Sequence, residues 1–339
     1  MKATISQAHK LLVELVKADI PTHLTSSPGL GKSSLVKQVA DLLNLKVIDY
    51  RLSTAEPVDL KGLPSVVNGR SRFVPTEEFP LEGDAIPEGY SGFLLFFDEI
   101  SNATMATQAA AYSIILDREV GIHKLHPAVR IVTAGNNVDD GAAVTGEMST
   151  ALKSRLAHIN LTVSVDAWLD WAMQNNIHHS ITSFIKFKPT MLYAFDPRVD
   201  ADTFPCSRTW EMANDFVQGV GINSSLLQDG VSAIISDGPA IEYVNFCKHF
   251  TNLPTYADIL KDPMAVEIPT ELATLYALSG SIGSQAEANG IEKVMDFLDR
   301  LPSEFQLKTF NDFTKRVPTL VTNARVRKWL TDNAPNLLG

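Results

Sequence analysis

The hydrophobic pattern changes period along the chain. In the first half, short β-type runs alternate with helical ones. Ala8, Leu11, Leu12, Leu15 and Val16 recur at helical spacing, Pro21 stops that helix, and Thr22-His23-Leu24-Thr25 reads as a strand. A glycine-bearing loop then leads into an amphipathic helix carried by Leu35, Val36, Val39, Leu42 and Leu43, and residues 46–50 read as the next strand, completing a βαβ unit. Residues 52–90 mix many Pro and Gly over a length no plain connection needs, so they read as an insertion. Phe93-Leu94-Leu95-Phe96-Phe97 is continuously apolar, as suits a strand buried on both faces. Residues 102–117 predict a helix, 119–125 a small hairpin, 131–134 a fourth strand and 159–163 a fifth. This alternation predicts an α/β domain over residues 1–164, a parallel sheet flanked by helices. Beyond residue 165 the β signal fades. Residues 166–175, 209–220 and 291–301 read as helices, so 165–339 is expected to be an all-α domain with a C-terminal helical extension, and 196–205 and 254–270 are expected to be loops.

Composition narrows the classes of function without choosing one. A chain of 339 residues is long enough for two domains that each bury a core without disulfide or metal support. Lys plus Arg number 29 against 39 Asp plus Glu, a net charge of −10, which argues against a protein that coats nucleic acid or anionic membrane nonspecifically. Cys206 and Cys247 stand far apart without a CxxC pairing, which points to a reducing compartment. No run approaches 18 apolar residues and the start lacks a basic stretch followed by an apolar one, so the chain reads as cytoplasmic with no membrane span. His178-His179, His123 and His126 lack companions at metal spacing, and Trp168 and Trp171, three apart, read as core.

The chemistry lies between the first strand and the second helix. Ser26-Ser27-Pro28-Gly29-Leu30-Gly31-Lys32-Ser33 stands where a phosphate-binding loop must stand, with Ser26 in place of the usual first glycine. Gly29 and Gly31 let backbone N–H groups approach phosphate, Lys32 neutralises terminal phosphate charge, and Ser33 can ligate Mg²⁺. Ser27, Pro28, Gly29, Leu30, Gly31, Lys32, Ser33 and Ser34 are therefore the candidate phosphate-binding stretch. At the end of the apolar strand, Asp98 is a candidate Mg²⁺ holder and Glu99 a candidate base for the attacking water. Asn136, after Ile131-Val132-Thr133-Ala134-Gly135, can fix that water without adding charge, although Asn136 and Asn137 both also suit a turn.

In order, Ser26 to Ser33, Glu56-Pro57-Val58-Asp59-Leu60-Lys61-Gly62, Phe93 to Ile100, Ala134-Gly135-Asn136, Ser154-Arg155-Leu156 and Pro205-Cys206-Ser207-Arg208-Thr209-Trp210-Glu211 form a joint pattern. It resembles the MoxR-like branch of the AAA+ ATPases, close to the dynein-related group, over roughly residues 20–215. The resemblance implies a P-loop NTPase fold with an all-α lid. Lys32 and Ser33 are similar to Walker A, Asp98 and Glu99 to Walker B, and Asn136 to sensor 1. Arg208 resembles sensor 2, and Arg155 the arginine finger that reaches a neighbour's site, with Lys153 and Arg130 as alternatives. The resemblance also implies a homo-oligomeric ring, usually of six, that hydrolyses ATP with Mg²⁺ to remodel protein complexes, often beside a partner carrying a von Willebrand factor A domain. The insertion, with Arg51, Lys61, Arg70 and Arg72, resembles the family's insert facing pore or substrate, and suits a solvated loop equally. A nucleic-acid machine of the same fold, such as a clamp or helicase loader, is the competing expectation, lowered by the acidic balance.

Overall fold

The computed structural model describes residues 1–137, 148, 150–199, 201–251 and 253–337. The chain divides into two compact units, residues 1–164 with 196–200, and residues 165–195 with 201–339.

In the first unit β1 (Lys2–Ala3), α1 (Ile5–Lys17), β2 (Thr22–Ser26), α2 (Lys32–Leu42) and β3 (Leu45–Arg51) follow one another. Then come α3 (Pro57–Lys61), the hairpin β4 (Leu63–Val67) and β5 (Arg70–Val74), β6 (Gly92–Asp98) and α4 (Met105–Asp117). A second hairpin, β7 (Glu119–Val120) and β8 (His123–Lys124), precedes β9 (Val129–Asn136), α5 (Thr150–Lys153) and β10 (Ala157–Leu161). Among the described residues, β1, β10, β2, β9, β6 and β3 form, in that order, a six-stranded sheet, and every pairing in it is parallel. The sequence pattern led us to expect five strands. The sixth, β1, is two residues long and takes its place by pairing with β10, a long-range contact that leaves no periodic trace.

The apolar run of β6 is buried along its whole length. Its alternate residues serve opposite layers. Leu94 and Phe96 meet Leu12, Val36 and Val39 of α1 and α2, whereas Phe93, Leu95 and Phe97 meet Ala110, Ile114 and Ile115 of α4. A strand with apolar layers on both sides cannot afford polar alternation, which is why it reads as continuous.

The described part of the second unit is helical: α6 (Val165–Gln174), α7 (His179–Phe187), α8 (Ser207–Val220), α9 (Leu227–Ile235), α10 (Asp237–Cys247), α11 (Tyr256–Lys261), α12 (Leu272–Gln285), α13 (Ile291–Leu298), α14 (Ser303–Arg316) and α15 (Ala324–Leu337). One correction concerns 254–270, expected as loop. It contains α11, started by a capping box in which Thr255 and Asp258 satisfy each other's backbone N–H. Six residues are too few for periodicity to register. No helix among the described residues is long and apolar enough to cross a membrane.

Candidate nucleotide-binding site

Four neighbouring strands end side by side at the carboxyl edge of the sheet. In register, Ser26 of β2 stands opposite Asn136 of β9, and Arg51 of β3 opposite Asp98 of β6. Ligands of open α/β sheets bind outside this edge. The loop between β2 and α2 starts there, with Gly29 at φ 79° and Gly31 at φ 83°, in the left-handed region that side chains avoid. Gly31 caps α2 without a side-chain acceptor, so no capping side chain covers the helix N-terminus, the end that favours an anion.

Lys32 is held across this loop. Its Nζ donates to the Ser26 carbonyl at 3.3 Å, to Ser26 Oγ at 3.0 Å and to Asn136 Oδ1 at 2.9 Å. All three acceptors are neutral, and an anionic oxygen forms the stronger bond to an ammonium. Asn137 touches the loop itself, its N–H reaching the Ser26 carbonyl at 3.3 Å and its Nδ2 reaching Ser27 Oγ at 3.4 Å. The two asparagines thus meet different parts of the site, side chain of Lys32 and loop respectively.

Ser33 Oγ donates to Asp98 Oδ2 at 3.0 Å, while Asp98 Oδ1 accepts the Glu99 N–H at 2.8 Å. A hydroxyl beside a buried carboxylate is the hard-oxygen donor set that Mg²⁺ selects. These residues fit such an ion: Ser33 and Asp98 would hold it, at the mouth of a loop whose glycines leave room for phosphate.

Glu99 has φ 56°, a left-handed conformation for a residue with a side chain, at a cost of about 1–3 kcal/mol. Its surroundings hold it. Besides the Asp98 contact, Ser53 Oγ donates to Glu99 Oε2, and Arg51 Nε lies 3.9 Å from Glu99 Oε1. Sequence reading passed over Ser53 and saw Arg51 only as part of the insertion. The carboxyl-edge rule, applied to β3 as it was to β6, would have drawn attention to both.

Beneath the loop, His23 Nδ1 meets Thr133 Oγ1 at 2.7 Å. Burial, with His158 and Lys32 nearby, lowers its pKa to about 3, so the ring is neutral. The remaining cations lie elsewhere. Arg155 is exposed just past α5, and Lys153 is the exposed last residue of that helix. Arg130 is at the opposite end of β9 from Asn136 and pairs with Asp19 at 3.7 Å. Arg208 belongs to the second unit, exposed in the first turn of α8. Lys61 ends α3, while Arg70 and Arg72 are exposed on β5.

Residues 24–156 match the AAA domain, dynein-related subfamily. A comparison with curated proteins finds no match. Among solved structures the chain is similar to NtrX from Brucella abortus, at 13% identity and TM-score 0.42, covering 91% of this chain and 67% of that one. It is also similar to a putative ATPase from Cytophaga hutchinsonii, at 14% identity and TM-score 0.37 over 97% and 88%. A third similarity is to a RuvB variant from Thermotoga maritima, at 16% identity and TM-score 0.34 over 97% and 90%.

Proposed function

We propose that this chain is a MoxR-like AAA+ ATPase of the cytoplasm, assembling into a six-membered ring that hydrolyses ATP to remodel protein complexes. The observation that carries the reading is the meeting of Lys32, Ser33, Asp98 and Asn136 at one sheet edge beside a glycine loop in left-handed conformation.

In this proposal the N–H groups of residues 29–34 cradle the phosphates, and Lys32 exchanges its neutral acceptors for phosphate oxygens. Ser33 and Asp98 would hold Mg²⁺, which would supply charge neutralisation to the phosphates. Release from Lys32 leaves the Asn136 amide free to orient a water. Glu99 takes a proton from that water as its oxygen bonds to the γ-phosphorus and the bond to the ADP oxygen breaks. Arg208 contributes charge from the helical lid. Arg155 acts on the ATP of an adjacent copy, spreading positive charge over the γ-phosphate. Its client is a protein, with a von Willebrand factor A domain protein as companion.

Two variants test the reading. Lys32→Ala should abolish binding of a fluorescent ATP analogue at micromolar concentration, and undiminished binding refutes the loop assignment. For the ring, Arg155→Ala and Lys32→Ala chains should each be inactive alone and regain phosphate release on mixing. An Arg155→Ala protein with normal turnover moves the finger to Lys153 or Arg130.

A further inference from the structure

The outer edge of β3 is open. In the β3–β6 ladder Leu52 N–H donates to the Asp98 carbonyl at 2.9 Å, and residues 51 and 98 are register partners. Parallel pairing then turns the backbone groups of residues 46, 48 and 50 toward β6 and those of 45, 47, 49 and 51 away from it. β3 is the last strand of the sheet. Neither Val47 nor Asp49 has a backbone hydrogen bond on its outer side among the described residues. Alongside runs a groove of about 640 Å³, whose other wall comes from residues 77–87. An added strand would pair at the usual spacing of about 4.8 Å.

Its charge is lopsided. Glu77, Glu78, Asp84, Asp49 and Asp59 line it against Lys46 and Arg51, and Arg51 already faces Glu99. Asp59 and Asp84 accept backbone N–H groups of their own segments, whereas Glu77 and Glu78 are exposed, Glu78 beside the Tyr50 hydroxyl as a hydrogen-bond partner. Burial, and after it the nearby Asp98, push the Asp49 carboxyl above its ordinary pKa, against the pull of Lys37 and Arg51.

We propose that this edge is a docking groove for an extended, basic segment of a partner protein, which pairs with Val47 and Asp49 as an added strand and sets its cations against Glu77 and Glu78. Main-chain bonds to an open edge supply affinity, and the charged walls supply selectivity. A second copy of this chain is a poor occupant. Edge-to-edge pairing of two β3 strands brings two acidic grooves together, and charged edges are a device against such pairing. An oppositely charged strand meets no such barrier. Docking does not depend on nucleotide hydrolysis.

The test uses the full chain without nucleotide and a fluorescein-labelled ten-residue peptide of alternating Val and Lys, read by anisotropy at several salt concentrations. Saturable binding is expected, with at least tenfold weaker binding of the Val/Glu counterpart. Val47→Pro removes an outward donor at a position where an edge strand tolerates proline, and should weaken binding at least tenfold. Should that variant fold poorly by circular dichroism, the exposed pair Glu77→Lys with Glu78→Lys gives the same reading without touching the strand. Equal binding of the two peptides, unchanged binding by the folded Val47→Pro chain or by the Lys pair, or no binding of the Val/Lys peptide at 1 mM or roughly its affinity scale, overturns the proposal.

Discussion

The two units bury polar groups to different ends. In the first, the contacts Lys32–Asn136 and Ser33–Asp98 join loops at the ends of different strands, and a phosphate or a metal ion can replace one partner in each. In the second, polar contacts pin helix to helix inside an aromatic core. Ser180 meets Tyr243 at 2.7 Å, Ser279 meets Thr309 at 2.6 Å, and Lys186 donates to Asp312. Around them Phe184 packs against Trp210, Tyr243 and Phe246. The lesson is that a buried polar pair at a sheet edge is exchangeable, whereas one between packed helices is closed and contributes to a unique packing.

All four tryptophans, Trp168, Trp171, Trp210 and Trp329, belong to the second unit. Intrinsic fluorescence therefore follows that unit and ATP-analogue binding follows the first, so the comparison can be tested unit by unit. The largest effect should come from Glu99→Gln. Phosphate release is expected to drop by about 10²–10⁴ while fluorescence-detected unfolding stays in place. Wild-type turnover would place the base elsewhere.

Next in size, Lys186→Met leaves Asp312 alone in a site where each partner's side chain is 15% or less exposed. Breaking a buried pair costs about 3–5 kcal/mol. Burial already raises the Asp312 pKa, so protonation should hold the loss to the lower end. The fluorescence midpoint in denaturant should fall and the Kd for the ATP analogue stay put. A midpoint that does not move would mean the pair adds nothing to this packing.

Acid should weaken both units. His23 in the first has its pKa lowered from 6.5 to about 3 and His179 in the second from 6.5 to about 4, each mainly by burial. Both rings are neutral when folded, while the unfolded chain takes up protons below 6.5, so stability rises with pH across those windows and is complete above them. The slope is at most about 1.4 kcal/mol per pH unit for each ring, about 2 kcal/mol between pH 7 and pH 5. Denaturation at the two pH values measures it. A His179→Gln chain that retains the full fluorescence-detected slope would shift the cause to another group, His178 first, since it lies 4.3 Å away in ring stacking.

The smallest stability effect is expected from Arg208→Ala. Arg208 is exposed, with no ion pair among the described residues, so unfolding should stay within about 0.5 kcal/mol. Phosphate release, if the lid role holds, should nonetheless fall. Loss of both together would make Arg208 a structural residue, and loss of neither would remove the second unit from the proposed chemistry.

The sequence by itself determined what depends on neighbours along the chain. The period of the apolar residues carries α1, α2, the buried strand β6 and the helical character after residue 165, because solvent sorts side chains locally by face. The glycine loop was legible for a related reason: left-handed backbone at Gly29 and Gly31 suits residues without a side chain. Only the tertiary structure decided which distant residues meet. That Ser26 stands opposite Asn136 and Arg51 opposite Asp98 follows from strand order and register, which no local pattern encodes. Ser53 against Glu99 and Lys186 against Asp312 are contacts of the same kind, 46 and 126 residues apart in sequence. The left-handed turn at Glu99 belongs here too, since several partners from other segments must assemble before they can offset its strain. The open edge of β3 was equally hidden, because whether a strand lies inside a sheet or at its rim depends on what the rest of the chain places beside it.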